Sequence, residues 1–211
     1  MAKLSLEKMS ENLLIRPLTE DDPECISAAF AGQGWDKPVA QYQRYLQEQT
    51  DGARAVFVAE CGGDLAGYVT LVWVSNYPPF RSRNIPEIVD LNVLKIYQRR
   101  RIASALLEVV EKLAGKRSAV VGIGVGLTAA YGPAQRLYVK HGYVPDGHGV
   151  FQNGRFPAHG DQIQVDDDLA LYLTRDLTPP RAEESSAAVT AANDPQFQKK
   201  LKEMQEILEN L

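Results

Sequence analysis

Cysteine and histidine are scarce in this chain of 211 residues: it has two cysteines, Cys25 and Cys61, and three scattered histidines. Two cysteines cannot form the disulfide framework of a small secreted domain. Lying in apolar surroundings, they read as reduced core thiols of a cytosolic protein. With so few histidines no metal-ligand spacing can be assembled, so no metal is expected. Basic charge is also short: the net charge is −4 and the pI about 5.5. A nucleic-acid-binding domain would need a basic face, so none is expected to bind here. No apolar run approaches membrane-spanning length. Met1 to Ser10 lacks the apolar segment of a signal peptide, which predicts a cytoplasmic protein without membrane attachment.

What the chain does have is a hydrophobic content of 45%, enough for the core of one α/β domain plus an appendage. Its organising stretch runs from Ile85 to Leu113. Ile88 to Leu94 is short, apolar and partly β-branched, the pattern of a buried strand. Ile102, Ala105, Leu106, Val109, Val110 and Leu113 then recur at helical spacing on one face. Gly115 follows where a helix stops. Between strand and helix stand Gln98, Arg99, Arg100 and Arg101, beside the unpaired N–H groups of the helix start. Such a start attracts anions through those groups and the helix dipole.

These residues resemble a known motif. LNVLKIYQRRRIASALL is similar to the acyl-CoA-binding motif of the GNAT N-acetyltransferase superfamily: Gln or Arg, two residues, Gly, one residue, then Gly or Ala. Gln98 and Ala103 match, while Arg101 stands where the glycine usually is. A glycine permits unusual φ and close backbone approach, so arginine there implies an ordinary φ. The resemblance implies that Leu91, Asn92 and Val93 pair with the pantetheine arm. It also implies that Gln98, Arg99, Arg100, Arg101, Ile102, Ala103 and Ser104 surround the pyrophosphate of acetyl-CoA. A second matching stretch is YGPAQRLYVKHGYVPDG. Ala134, Leu137, Tyr138, Gly142 and Tyr143 follow the family pattern, and Tyr131 replaces its Asn. Tyr131 and Ala134 are thereby implied at the cofactor site. Taken as packing alone, Tyr138 would be a helix-face aromatic against the sheet.

Read in order, the chain predicts a strand over 12–18 and a helix from the cap Asp22 and Pro23 to about Ala31. A second helix follows over 39–49. Two strands, 54–61 and 65–75, meet in a hairpin at Gly62-Gly63. A loop over 76–84 leads to the central strand and the long helix. A strand over 118–125, a helix over 131–140, and late strands at 142–144 and 169–174 complete the set. That element order is the GNAT order over roughly residues 12–177. The implied fold is α/β (α+β), a mixed central sheet of six to seven strands, splayed between the fourth and fifth, with flanking helices. Val120 to Leu127, VVGIGVGL, also suggests a dinucleotide fingerprint. Gly132-Pro133 interrupts the helix such a site requires, which argues against that reading.

Acetyl transfer to an amine requires a proton acceptor, a donor for the oxyanion and an acid for the departing thiolate. Two carboxylates are near in sequence, Glu87 and Asp90. Strand alternation puts Glu87 on the face of Val89, Leu91 and Val93, with Asp90 on the other. Glu87 also matches the position of the base in histone-acetylating members, and resemblance assigns the acid role to Tyr138. A backbone N–H near Val93 suits the oxyanion. The implied reaction is direct attack of a primary amine on acetyl-CoA in a ternary complex. Trp35, Tyr77 and His148 are candidates for the acceptor site, as are Asp36, Phe151 and the run Asp166 to Asp168. That run favours a cationic amine, although charge runs are commonly solvated faces. A peptide, an aminoglycoside-like compound and a polyamine all fit.

Residues 178–194 are rich in Pro, Ser, Ala and acid and read as a linker. Phe197, Leu201, Met204, Leu208 and Leu211 then form a short heptad seam, which predicts a C-terminal amphipathic helix over 195–211 that docks on a second copy, another protein or its own domain. Besides an enzyme, a non-catalytic CoA-binding module and an interaction protein built on that helix are consistent with the chain. They differ in whether acetyl-CoA is turned over, merely bound, or ignored.

Overall fold

The computed structural model of the chain describes residues 13–178. The predicted linker beyond Thr178 and the C-terminal helix lie outside the described residues. Seven strands form one sheet in the order β1-β2-β3-β4-β5-β7-β6. β1 (Leu13–Pro17), β2 (Arg54–Cys61), β3 (Asp64–Val72) and β4 (Glu87–Val93) pair antiparallel with one another in that order. β5 (Val120–Gly126) is parallel to β4, and β7 (Ala170–Asp176) and β6 (Val144–Phe151) complete the far side. The turn between β2 and β3 uses Gly62 and Gly63 at φ 68° and 91°, the doubly positive geometry of a tight hairpin. Among the described residues the α-helices are α1 (Asp22–Ala31), α2 (Val39–Thr50), α3 (Pro78–Ser82), α4 (Ile102–Ala114) and α5 (Gly132–Lys140).

One face of the sheet is covered by α4, whose Leu106, Leu107 and Val110 are fully buried against Val69, Leu71, Ile88, Val121 and Ile123. Each such side chain contributes about 1.5–3 kcal/mol on burial. The buried stripe is rotated relative to the sequence pattern. Glu111 and Ala114 are inside, whereas Val109 and Leu113 are only half-buried. Glu111 is tolerated because the Tyr143 hydroxyl donates to it at 3.0 Å and Arg175 at 2.6 Å. The opposite face is covered by α1 and α2, with Ile26, Phe30, Tyr42, Val58 and Tyr68 at its centre.

Several local expectations are corrected. Asp22 is the first residue of α1 rather than its cap, and its carboxylate accepts from Arg16 at 2.7 and 2.8 Å and from the Thr19 N–H at 2.7 Å. Cys25 is exposed and Cys61 half-buried, so neither is a core thiol; α1 turns Ile26 and Phe30 inward and leaves Cys25 on its outer side. The loop over 76–84 contains α3, started by Pro78 at a position where a missing N–H costs nothing. Tyr77 and Phe80 anchor it in a third apolar cluster. β6 begins at Val144 and runs to Phe151, much longer than the Gly142–Val144 segment expected, because Asp146, Gly147, His148 and Gly149 interrupt its pairing with β7.

β5 explains its own glycines. Val121, Ile123 and Val125 point into the α4 core, so Gly122, Gly124 and Gly126 share the other face. Each leaves room for an aromatic ring. A Cβ on Gly122 would meet the Phe80 ring at 2.1 Å, one on Gly126 the Tyr131 ring at 2.5 Å, and one on Gly124 the Tyr172 ring at 3.1 Å. The G-x-G-x-G pattern is a seat for three rings rather than a phosphate loop. Gly122→Ala is therefore expected to destabilise by about 1–3 kcal/mol through overpacking, and Gly124→Ala by clearly less. Urea unfolding of the two variants checks the order, and equal midpoints would contradict the ring-seat account.

Candidate active site

β4 and β5 pair at only two positions, Glu87 with Gly122 and Ile88 with Ile123, and then part. A β-bulge in β4 accompanies the parting. Thr70 of β3 pairs with Val89 and Tyr68 with Asn92, so Val69 faces two residues, Asp90 and Leu91, with Asp90 at φ 52°. The bulge overturns the simple alternation expected for β4. Leu91 and Val93 join Ile88 in the α4 core. Glu87 and Asp90 both turn to the α2 side, Glu87 toward Ser75 and Asp90 toward Tyr45 and Gln41. A residue inserted by the bulge shifts the phase of every side chain after it.

The parting opens a cleft of about 250 Å³. One wall is β4 from Glu87 to Leu91, and the other is β5 from Ile123 to Gly126. Tyr131, Tyr138, Asp167, Ala170 and Tyr172 complete the lining. At the cleft's floor Glu87 is only 6% exposed and accepts a hydrogen bond from the Ser75 hydroxyl at 2.5 Å. Burial pushes its carboxyl above the ordinary range, against the opposing pull of that hydrogen bond and the Arg54 charge. Asp90 is committed elsewhere: its carboxylate accepts from the Tyr45 hydroxyl and from Gln41 Nε2 at 3.3 Å. Arg54 stacks over the Tyr45 ring at 4.1 Å and binds Glu48 at 2.5 Å and Thr70 Oγ1 at 2.7 Å. Thr70 in turn donates to the Val89 carbonyl at 3.2 Å, satisfying a group beside the bulge.

Tyr138 comes from α5. Its ring packs in the main core beside Tyr143, and the residue is 6% exposed, yet it lines the cleft. Its hydroxyl makes no hydrogen bond among the described residues, and burial raises its pKa well above that of free tyrosine. Both the packing role and a polar role are thus present in one side chain. Tyr131 precedes α5 and donates to Asp167 Oδ1 at 3.1 Å, across the cleft mouth. Leu94 N–H bonds to the Ala66 carbonyl of β3, so its neighbour Val93 presents its own N–H to the opposite side, toward β5.

Beyond β4 the chain makes a 3₁₀ turn, Lys95–Tyr97, and reaches the basic loop. Gln98 Nε2 donates back to the Val93 carbonyl at 3.2 Å. Arg99 and Arg101 are both left-handed, at φ 59° and 62°. The ordinary φ expected at Arg101 is therefore wrong: the backbone keeps the conformation a glycine would favour, and arginine bears the strain. The helical ladder of α4 starts with Ala105 N–H bonding to the Arg101 carbonyl, and Arg101 provides no side-chain cap. The N–H groups of Ile102, Ala103 and Ser104 thus stand before the first ladder bond, with Arg99, Arg100 and Arg101 exposed around them. Ala134 packs against the main core from α5.

The acceptor candidates do not gather in the cleft. Trp35 stacks on Phe30 at 5.7 Å beside α1. Tyr77 is 1% exposed, stacks on the cleft residue Tyr172 at 3.6 Å and donates to Asp146 at 2.7 Å. His148, half-exposed, faces the same Asp146 at 3.3 Å. Phe151 packs edge-on against Tyr77. Of the acidic run, Asp166 accepts from Gln152 at 2.8 Å, while Asp167 reaches the cleft. Tyr172 and Ser75 carry no sequence signal of their place, because a β7 aromatic and a loop serine look like packing and turn residues. Among the described residues there is no group of three His, Cys, Asp or Glu able to hold a metal, and no helix long and apolar enough to cross a membrane.

The sequence of residues 16–143 matches the model of the acetyltransferase (GNAT) family, which is more than half of the chain. The chain belongs to the GNAT family. Solved structures share its fold at low identity. An N-acetyltransferase from Staphylococcus aureus Mu50 superposes with a TM-score of 0.60 at 18% identity, over 79% of this chain and 99% of that one. Salmonella typhimurium yncA, solved with its cofactor acetyl-CoA, gives 0.57 at 18%, over 81% and 97%. A ribosomal-protein-alanine N-acetyltransferase from Brucella melitensis gives 0.58 at 18%, over 77% and 99%. A comparison with curated protein sequences finds no match. In this GNAT chain β4, the loop after it and the start of α4 occupy one continuous stretch, residues 87–104.

Two outcomes follow for the site. Arg101→Gly should relieve the left-handed strain and stabilise by about 0.5–1 kcal/mol, after glycine's larger unfolded-chain entropy is subtracted. That corresponds to a Tm rise of roughly 1–4 °C by calorimetry, and a fall in Tm would show that the arginine side chain is itself needed. Glu87 has its folded pKa raised, so its contribution is fully favourable below the unfolded value and is lost as pH rises through the folded one. Glu87→Gln should therefore raise Tm relative to the parent at pH 8, with the gain vanishing at pH 4.

Proposed function

We propose that the protein transfers the acetyl group of acetyl-CoA to a primary amine by direct attack in a ternary complex. The observation that carries this reading is the cleft between β4 and β5, which holds a buried carboxylate and an unpartnered tyrosine hydroxyl. The residues present fit acetyl-CoA. The parted strand edges suit an extended arm that carries amide groups, as a strand does. The uncapped start of α4, with its three arginines, suits a pyrophosphate. Bound there, acetyl-CoA supplies an activated acyl group as a thioester.

The chain's own residues do the rest. Glu87, buried and raised in pKa, accepts the proton that the attacking amine must lose. Its affinity for a proton lies closer to that of the amine than an exposed carboxylate's would, which makes the transfer less unfavourable. Val93 N–H, turned toward β5, donates to the acyl oxygen as negative charge develops on it. Gln98, by holding the Val93 carbonyl, fixes the orientation of that strand end. Tyr138 donates to the leaving sulfur. Its hydroxyl stays protonated at every physiological pH because it is buried. Asp90, tied to Tyr45 and Gln41, shapes the bulge rather than moving protons.

Acetyl-CoA should raise the Tm of the protein by ligand linkage, and NAD should not. Tyr138→Phe keeps the ring and removes the hydroxyl. With a working amine, kcat should fall by about 10²–10⁴-fold while acetyl-CoA affinity, read by calorimetry, stays near the parent value. Full kcat in that variant would reduce Tyr138 to a packing residue.

A further inference from the structure

The lining of the cleft is lopsided in charge. Glu87, Asp90 and Asp167 face it together with Tyr131, Tyr138 and Tyr172, and none of its lining residues among those described is Lys, Arg or His. The nearest cation behind it, Arg54, is already matched by Glu48 at 2.5 Å. The basic residues of the α4 loop are not among its lining. Tyr138 adds a side chain that is nine-tenths buried and lines the cleft, with a hydroxyl unpartnered among the described residues.

Resting on the acetyl-transfer reading, we infer that the acceptor is a small dicationic amine, and that Asp167 at the mouth of the cleft selects it. The argument turns on which charge survives the reaction. The reacting ammonium must lose its proton to Glu87, and the N–C bond that forms as the C–S bond breaks leaves a neutral amide and a CoA thiol. A monoamine therefore carries no positive charge beyond the proton-transfer step. Asp90 and Asp167, which take no part in that step, then face a neutral product. A second ammonium or guanidinium keeps its charge from binding through release, and so matches the Asp167 carboxylate, with the charge of Asp90 behind it, throughout. Aromatic faces beside them add favourable cation–π sites. Asp167 differs from Asp90 in its availability. It stands exposed at the mouth, holds only the Tyr131 hydroxyl at 3.1 Å, and keeps its other oxygen for a ligand. A carboxylate on the acceptor would meet like charge and be rejected.

The test uses the full chain with acetyl-CoA and three acceptors of matched length: 1,4-diaminobutane, butylamine and 4-aminobutyrate. The expected order of kcat/KM is diamine, then monoamine, then amino acid, with the diamine value falling as ionic strength rises. Asp167→Asn should reduce the diamine-to-monoamine ratio by about threefold to tenfold, chiefly through KM. Tyr131→Phe, which removes the hydroxyl partner of Asp167 and keeps its charge, should leave the ratio above one. A ratio near one in the parent protein, or one unchanged by Asp167→Asn, overturns the inference, as does efficient acetylation of 4-aminobutyrate. Calorimetry of each amine in the presence of CoA, where no transfer can occur, separates the two layers. Diamine binding without turnover of any acceptor supports the charge selection and sinks the transfer reading. Turnover of all three acceptors alike does the reverse.

Discussion

Two adjacent strands that stop pairing after two residues leave backbone donors and acceptors without a ladder, and inside a protein each such group costs about 1–3 kcal/mol if nothing else satisfies it. This sheet meets that constraint between β4 and β5, and much of the domain is arranged to sustain it. On β5, glycines at every second position seat the rings of Phe80, Tyr172 and Tyr131. On β4, the bulge at Asp90 re-aims the strand, and Thr70 takes over the carbonyl of Val89 beside it. Gln98 takes the carbonyl of Val93. The gap is held open by packing on one side and by substitute hydrogen bonds on the other, so it is a formed feature and not a defect in the sheet.

The electrostatics follow from the same geometry. The start of α4 and the cleft carry charge of opposite sign. Positive charge collects at the first, through Arg99, Arg100, Arg101 and the uncapped N–H groups. Negative charge collects at the second, through Glu87, Asp90 and Asp167. The strain at Arg101 belongs to this arrangement. A left-handed residue is required to bring the chain from the 3₁₀ turn into the helix, and an arginine there adds charge at the cost of an unfavourable φ. Local strain of this kind concentrates where structure is arranged for binding.

The order of elements, the basic turn before α4, and the match of Gln98, Ala103 and Tyr138 to the GNAT pattern were all legible from residue types and spacing. Hydrophobic periodicity and turn chemistry are local properties, and they predicted the elements and their order; the resemblance to the GNAT pattern implied a mixed sheet that parts between its fourth and fifth strands. Tyr138 and Glu87 could be named because both stand at motif positions in that order. The faces of Asp90, Leu91 and Val93 could not, since a bulge carries no residue signature and reverses the phase of the strand beyond it. Three acidic neighbours, Asp166 to Asp168, looked alike in sequence. Folding tied one to Gln152 and brought another to the cleft, because the contacts that separate them come from residues 14 and 36 positions away. Likewise Tyr77, a candidate for the acceptor site in sequence, is a buried ring stacked on Tyr172. Spacing along the chain determined which segments form strands and helices and where the anion-binding turn lies. Only the tertiary structure decided which carboxylates share a wall, which hydroxyl lacks a partner and how wide the strands stand apart. Those depend on long-range packing and on hydrogen bonds between residues that no local pattern connects.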